Sequence, residues 1–465
     1  MRRNAVLSTA VLGAILVLAP RARAQGYGVY EHGACVMGRA GTGVAAPCSG
    51  GSPIFFNPAG IVGGEHKWSV EFGATLIAPR QTFTDSATGV ATPAVENNIP
   101  VPHFFATRQL NRSWAVGLGV FAPYGLRSEW EPDSPGRFLA YVADLKSIYI
   151  QPTVAFAVSS RVQIGVGVDI VHTAVELQQR VDLAGQVAQT GPTGPITFGM
   201  LGVPVGTDFA DATVEGSGSG FGAHFGVLFK PWDWVSIGAR LLTKVMVDGS
   251  GTADFARYPT GIVLPAGTPF GVPAGTPLDS VVTSAFATKL YSGQAVSTRL
   301  LNPQQTVIGV ALRPVHDVTL LVDYQTVNWG NFDALVLNFD SAGTRTVRED
   351  YRATSGWRGA IEVQPTSRLQ VRGGVLTHDA AAPNQTVTPL LPEGARVEGT
   401  LGASYWVTRK MRLDVAYQYI RQQDRRGRIR EYPDSPTPKV PDVALNSGLY
   451  TSTAKLYGAS LAFWF

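Results

Sequence analysis

Apolar residues in this chain recur at every second position, in about fourteen separate segments. Met411, Leu413, Val415, Tyr417 and Tyr419 alternate with Arg412, Asp414, Ala416 and Gln418. Val162, Ile164, Val166, Val168 and Ile170 alternate with Gln163, Gly165, Gly167 and Asp169. A period of two is that of a strand with unlike faces, and no amphipathic helix of more than three turns competes with it. The apolar share is 45%, yet beyond residue 24 no run of 18 apolar residues occurs, so the hydrophobicity is spread over many short segments. The chain is therefore all-β.

The connections set the architecture. "LNRS", "VSSR", "KPWD", "RPVH", "QPTS" and "VTRK" make tight turns at every second junction, and the junctions between them carry long loops. Strands running up and down through a slab produce this pattern, with all turns on one side. Hydrocarbon offers no partner to a free sheet edge, so such a sheet has to close. The expectation is a 14-stranded antiparallel transmembrane β-barrel over 67–465, with both chain ends on the short-turn side.

The N-terminus agrees with an envelope destination. A basic start, an apolar run from Ala5 to Pro20 and the small-x-small site Ala22-Arg23-Ala24 read as a removable signal peptide over 1–24. The chain holds 38 Lys+Arg against 34 Asp+Glu, and the leader contains Arg2, Arg3, Arg21, Arg23 and no acid. The mature chain is thus charge-balanced, which removes any argument for nucleic acid. The two cysteines, Cys35 and Cys48, lie close together and are candidates for a disulfide in an oxidising compartment. At the other end Tyr457, Ala459, Leu461, Phe463 and Phe465 share one face of a terminal strand. Such an end resembles the signal by which barrel-assembly machinery recognises its substrates.

Residues 25–66 are too rich in small and apolar side chains for a solvated tail, and packing inside the barrel as a hatch with short helices suits them. Within this segment Phe55, Phe56, Asn57, Pro58, Ala59 and Gly60 form a rigid corner with a free Asn amide. "MGRAGTGVAA", "IFFNPAG", "FAPYGL" and the C-terminal half together resemble the FadL/TodX family of outer-membrane transporters, whose hatch carries an Asn-Pro-Ala motif. The resemblance covers essentially the whole mature chain. It implies a monomer in the outer membrane of a Gram-negative bacterium, surrounded by outer-membrane lipid, with its hatch and termini periplasmic. It also implies passive uptake of a long-chain fatty acid or another hydrophobic small molecule, caught at surface loops and released sideways through a kinked third strand.

Candidate site residues follow. Gly117 and Gly119 are candidates for the kink or, equally, for room left for the hatch. Phe121, Tyr124, Leu126, Trp130, Phe138, Leu139 and Tyr141 give the loop after the third strand unusual apolar content and are candidates for ligand contact or rim packing. Arg240, Lys244, Arg358 and Arg372 are candidate partners for a carboxylate, against the alternative of pairing with lumen acids or the hatch. Rival readings are a general porin, or an adhesin resting on long loops such as the proline-rich stretch from Glu431 to Asp442. The seven histidines lack a recognisable Ser or Asp context, and no phosphate loop, zinc spacing or calcium loop appears, so neither an enzyme nor a metal or cofactor site is expected.

Overall fold

The computed structural model describes residues 26–191, 194–264, 273–286, 293–341, 343–427 and 447–465. The proposed signal peptide and the whole of the Glu431–Asp442 stretch fall outside the described residues. The sheet is a closed antiparallel barrel of 14 strands. In chain order these are β1 (Trp68–Asp85), β2 (Ile99–Gln109), β3 (Trp114–Glu129), β4 (Val142–Ala157), β5 (Val162–Asp182), β6 (Asp208–Trp232) and β7 (Val235–Leu242, continued by Val245–Arg257). There follow β8 (Gln305–Val315, preceded by Gln294–Asn302), β9 (Val318–Val327), β10 (Thr354–Thr366), β11 (Leu369–His378), β12 (Arg396–Thr408), β13 (Met411–Gln422) and β14 (Gly448–Trp464). The seam is a continuous register of β1 on β14, from Ser69 opposite Trp464 to Asp85 opposite Gly448.

All fourteen segments of apolar alternation are strands. Several strands are longer than their alternation, and always at the end away from the tight turns. There β5, β6 and the outer half of β7 stand in water on the outside, so the inside–outside contrast that marks a membrane strand fades while the backbone ladder continues.

The faces are inverted relative to a soluble protein. Ile164, Val166, Val168 and Ile170 on β5 are 39–51% exposed, while Asp169 between them is buried. Lipid takes the apolar face and the lumen takes the polar one. Trp68, Trp114, Trp232, Trp234 and Phe465 form an exposed aromatic girdle at the short-turn end.

The lumen is filled by the hatch. It carries two single-turn helices, α1 (Ala34–Met37) and α2 (Pro53–Phe56), and a 3₁₀ turn at Pro58–Ile61. Cys35 and Cys48 are joined by a disulfide. Nearly all hatch side chains are buried, Ile54, Phe55 and Asn57 completely.

Candidate functional site: a clamped hatch beside a break in the wall

Charged wall residues hold the hatch by its backbone. Arg372 donates to the Cys35 carbonyl (3.2 Å), Arg358 to Gly41 (3.2 Å), Arg240 to Phe55 (2.9 Å) and Arg412 to Ser49 (2.8 Å). Carboxylates take the amides: Asp323 accepts from Gly43 (3.0 Å) and Val44, and Glu71 from Gly51 (2.9 Å) and Ser52. A loop-rich plug has few internal backbone bonds, and each of these charged ones is worth about 1.5–3 kcal/mol. Three of the four candidate carboxylate partners, Arg240, Arg358 and Arg372, are therefore engaged with the hatch, Arg372 also with Glu362 at 3.2 Å. The fourth, Lys244, is exposed at the break between the two parts of β7.

The Asn-Pro-Ala corner ties three pieces together. Asn57 has extended backbone (φ −167°), and its Nδ2 donates to Val44 in the hatch (2.6 Å) and to Val227 on β6 (3.0 Å). Its Oδ1 caps the 3₁₀ turn by accepting from the Ala59 amide at 3.1 Å. Gly165 and Gly226 leave the recess in the wall that Pro58 and Ala59 occupy. Next to the corner, Phe55 meets Phe56 and His32 edge to face and Phe121 at a tilt, with ring centroids 4.7–5.0 Å apart. Burial without a partner lowers the His32 pKa from its ordinary 6.5 to about 3.

Among the described residues the wall is interrupted between β2 and β3. Pairing of β2 with β3 ends at Phe104 opposite Val120. Above that point β2 (Ile99–His103) pairs with β1 alone, and β3 pairs with β4 alone after a register shift between Phe121 and Tyr124. The irregularity in β3 thus falls at Ala122–Pro123, while Gly117 and Gly119 keep regular pairing on both sides. Those two glycines make room for the hatch: an added Cβ at either would lie 2.8 Å from the Ile54 side chain. Pro100, Pro102 and Pro123 have no amide hydrogen to leave unpaired beside the break.

The free edge of β3 is covered from inside by the start of the hatch. Val29 donates to the Pro123 carbonyl and Gly125 to that of Tyr27, both at 2.9 Å, with Gly28 opposite Tyr124. Behind this short cover is a cavity of about 340 Å³, mostly apolar, lined inside by Tyr27, Val29, Phe121, Tyr124 and Leu126 and outside by Pro100, Pro102 and Ile148. It runs from the lumen to the lipid face. Of the seven candidate ligand residues, Phe121, Tyr124 and Leu126 line it. The other four pack the rim instead: Trp130 lies against Tyr450 and donates to Pro389 (3.2 Å), Tyr141 donates to Asp211 (2.8 Å), Phe138 lies beneath Arg137, and Leu139 is half-buried next to it.

A clamped N-terminal plug, an Asn-Pro-Ala corner and an interrupted β3 occur together here. The family described as outer membrane protein transport protein (OMPP1/FadL/TodX) matches residues 15–465. This chain belongs to that family. It is 21% identical to outer membrane protein P1 of Haemophilus influenzae over 435 residues, covering 88% of each chain. It is 20% identical to the long-chain fatty acid transport protein of Escherichia coli K12, covering 89% of this chain and 92% of that one. In fold it is similar to a Pseudomonas aeruginosa FadL homologue, with a TM-score of 0.80, 20% identity and coverage of 95% and 100%. It is also similar to the Pseudomonas putida toluene transporter TodX, with a TM-score of 0.66, 14% identity and coverage of 94% and 99%. Family membership and the barrel locate the protein in the outer membrane of a Gram-negative bacterium.

Within the family's architecture, the residues that sequence reasoning passed over are Pro100, Pro102 and Pro123. Their signal was present in "IPVPHFF" and "FAPYGL". A proline inside a strand marks an edge, and a closed barrel has an edge only where its wall is broken.

Proposed function

We propose that the protein carries a hydrophobic small molecule, of the class of long-chain fatty acids or aromatic hydrocarbons, passively across the outer membrane. The ligand enters from the surface loops, lodges in the cavity beside Tyr27 and Tyr124, and leaves sideways between β2 and β3 into the bilayer. The observation carrying this reading is the cavity that spans the β2–β3 break, covered only by Tyr27–Val29. Sideways exit keeps an apolar ligand out of water, which would otherwise cost about 25 cal/mol per Å² of its surface. The names of relatives that carry fatty acids or toluene support the substrate class. Opening needs movement of the Tyr27–Val29 cover, while the clamped remainder of the hatch stays.

Filling the cavity tests the route. Gly125 lines it, and an added Cβ there meets nothing closer than 3.5 Å, so Gly125→Trp is tolerated by the wall and intrudes on the path. Uptake of a radiolabelled long-chain fatty acid is expected to fall about tenfold or more in the variant, at equal amounts of folded barrel. Unchanged uptake by Gly125→Trp would refute the lateral route. No uptake by the wild type would remove fatty acid as the substrate.

A further inference from the structure

The lipid-facing side of the barrel seam carries a group of three cations. On β14, Lys455 is ten residues from the C-terminal Phe465. At about 3.3 Å per residue and a tilt of about 40°, that is about 25 Å across the bilayer, the height of a barrel's apolar band. Lys455 therefore lies at the outer headgroup level. Two residues further along β14, Thr453 faces outward between Arg80 on β1 and Arg421 on β13. With strands about 4.8 Å apart, the two guanidinium stems start about 10 Å from each other, with Lys455 about 7 Å below the row. All three are exposed; Tyr419, directly opposite Lys455, and Tyr457, two residues below it, point outward at 39% and 49% exposure.

Some other exposed cations are matched. Lys146 and Arg127 share Asp144 at 2.8 and 3.0 Å, and Arg299 meets Asp248. Here, among the described residues, the acid paired with the group is Glu96, on Arg80, and both of those side chains are about half exposed or more, so that pair contributes little. Three like charges this close at a hydrocarbon boundary repel one another, and an anion at the same depth offsets that cost. The outer leaflet of such a membrane consists of glycolipid with phosphates at this depth and acyl chains beneath.

We propose that Arg80, Arg421 and Lys455 bind the phosphate groups of a phosphorylated outer-leaflet glycolipid, whose acyl chains lie along Tyr419 and Tyr457. The three side chains lie on the outer face of β1, β13 and β14, next to the far end of the cavity, which reaches Pro79 and Thr453; the proposal needs no assumption about what the protein transports.

The test is native mass spectrometry of the mature protein in detergent with EDTA, offered bisphosphorylated lipid A, its dephosphorylated form, or phosphatidylglycerol. The wild type is expected to retain one equivalent of the bisphosphorylated lipid and to bind each of the other two at least tenfold more weakly. A triple variant with Arg80→Ala, Arg421→Ala and Lys455→Ala should lose at least tenfold in affinity, while Arg112→Ala with Lys410→Ala on the short-turn side should not. Equal binding of the dephosphorylated lipid or of phosphatidylglycerol by the wild type would overturn the proposal without recourse to any variant. So would wild-type affinity in the triple variant.

Discussion

At the scale of single residues the lumen relies on charge for what a soluble core achieves by apolar packing. Arg372 contacts Glu362, Ser404 and the Cys35 carbonyl at once, so its loss would leave buried partners unpaired as well as freeing α1. His32 is the exception, a titratable ring among aromatics with neither nitrogen bonded. Its pKa is about 3 in the folded hatch against an ordinary 6.5, so the folded state binds fewer protons than the unfolded one between those values. Hatch stability is then full above about pH 6.5 and declines as pH falls toward 3, by at most about 1.4 kcal/mol per pH unit. Hydrogen exchange of the Ala34–Met37 amides, corrected for intrinsic rate, should accelerate between pH 7 and pH 5. In His32→Phe that acceleration should be largely gone, and an equal acid response in the variant would acquit the histidine.

At the scale of elements, the hatch divides into parts held to different degrees. The stretch between Cys35 and Cys48 is closed by the disulfide and fastened by Arg358, Asp323 and Thr400. Tyr27–Val29 lies outside that loop and holds the edge of β3 with two backbone bonds. The covalent loop spans a separation of 13 residues. Loop-closure entropy gives it about 3 kcal/mol. Cys35→Ala with Cys48→Ala should thus make the hatch markedly more open to protease in detergent. The barrel should keep its resistance to unfolding by heat, as read from its gel mobility. A variant whose hatch is as protected as the wild type would mean that the wall clamps alone suffice. Short helices were expected in the hatch, but their positions were not legible in the sequence, since α1 and α2 are four residues each and too short to show a period. The Asn-Pro-Ala corner was legible, because proline and asparagine restrict the backbone locally.

At the scale of the whole molecule, the two ends of the chain complete one wall. Phe465 and Trp68 exchange both backbone bonds at 3.0–3.1 Å, so the last residue closes the barrel as well as facing lipid. We expect deletion of Phe465 to lower the amount of folded protein in the outer membrane several-fold, measured as the heat-modifiable fraction, through loss of its two seam bonds to Trp68. Full insertion of the truncated chain would leave that residue without a role in closure.

The sequence by itself determined the all-β class, the strand number, the side on which the chain ends lie, and the presence of a plug with a rigid Asn-Pro-Ala corner. These depend on local rules, on alternation along a strand and on the length of each connection, and such rules act between near neighbours in the chain. Only the tertiary structure decided where the wall is broken, and that Arg240, Arg358 and Arg372 hold hatch carbonyls. It also decided that Gly117 and Gly119 yield to Ile54 and that Arg80, Arg421 and Lys455 stand together. Each of these is a matter of register between strands or of which loop residue meets which wall position. Register couples residues hundreds apart in the chain, and nothing in the local pattern of either strand carries it.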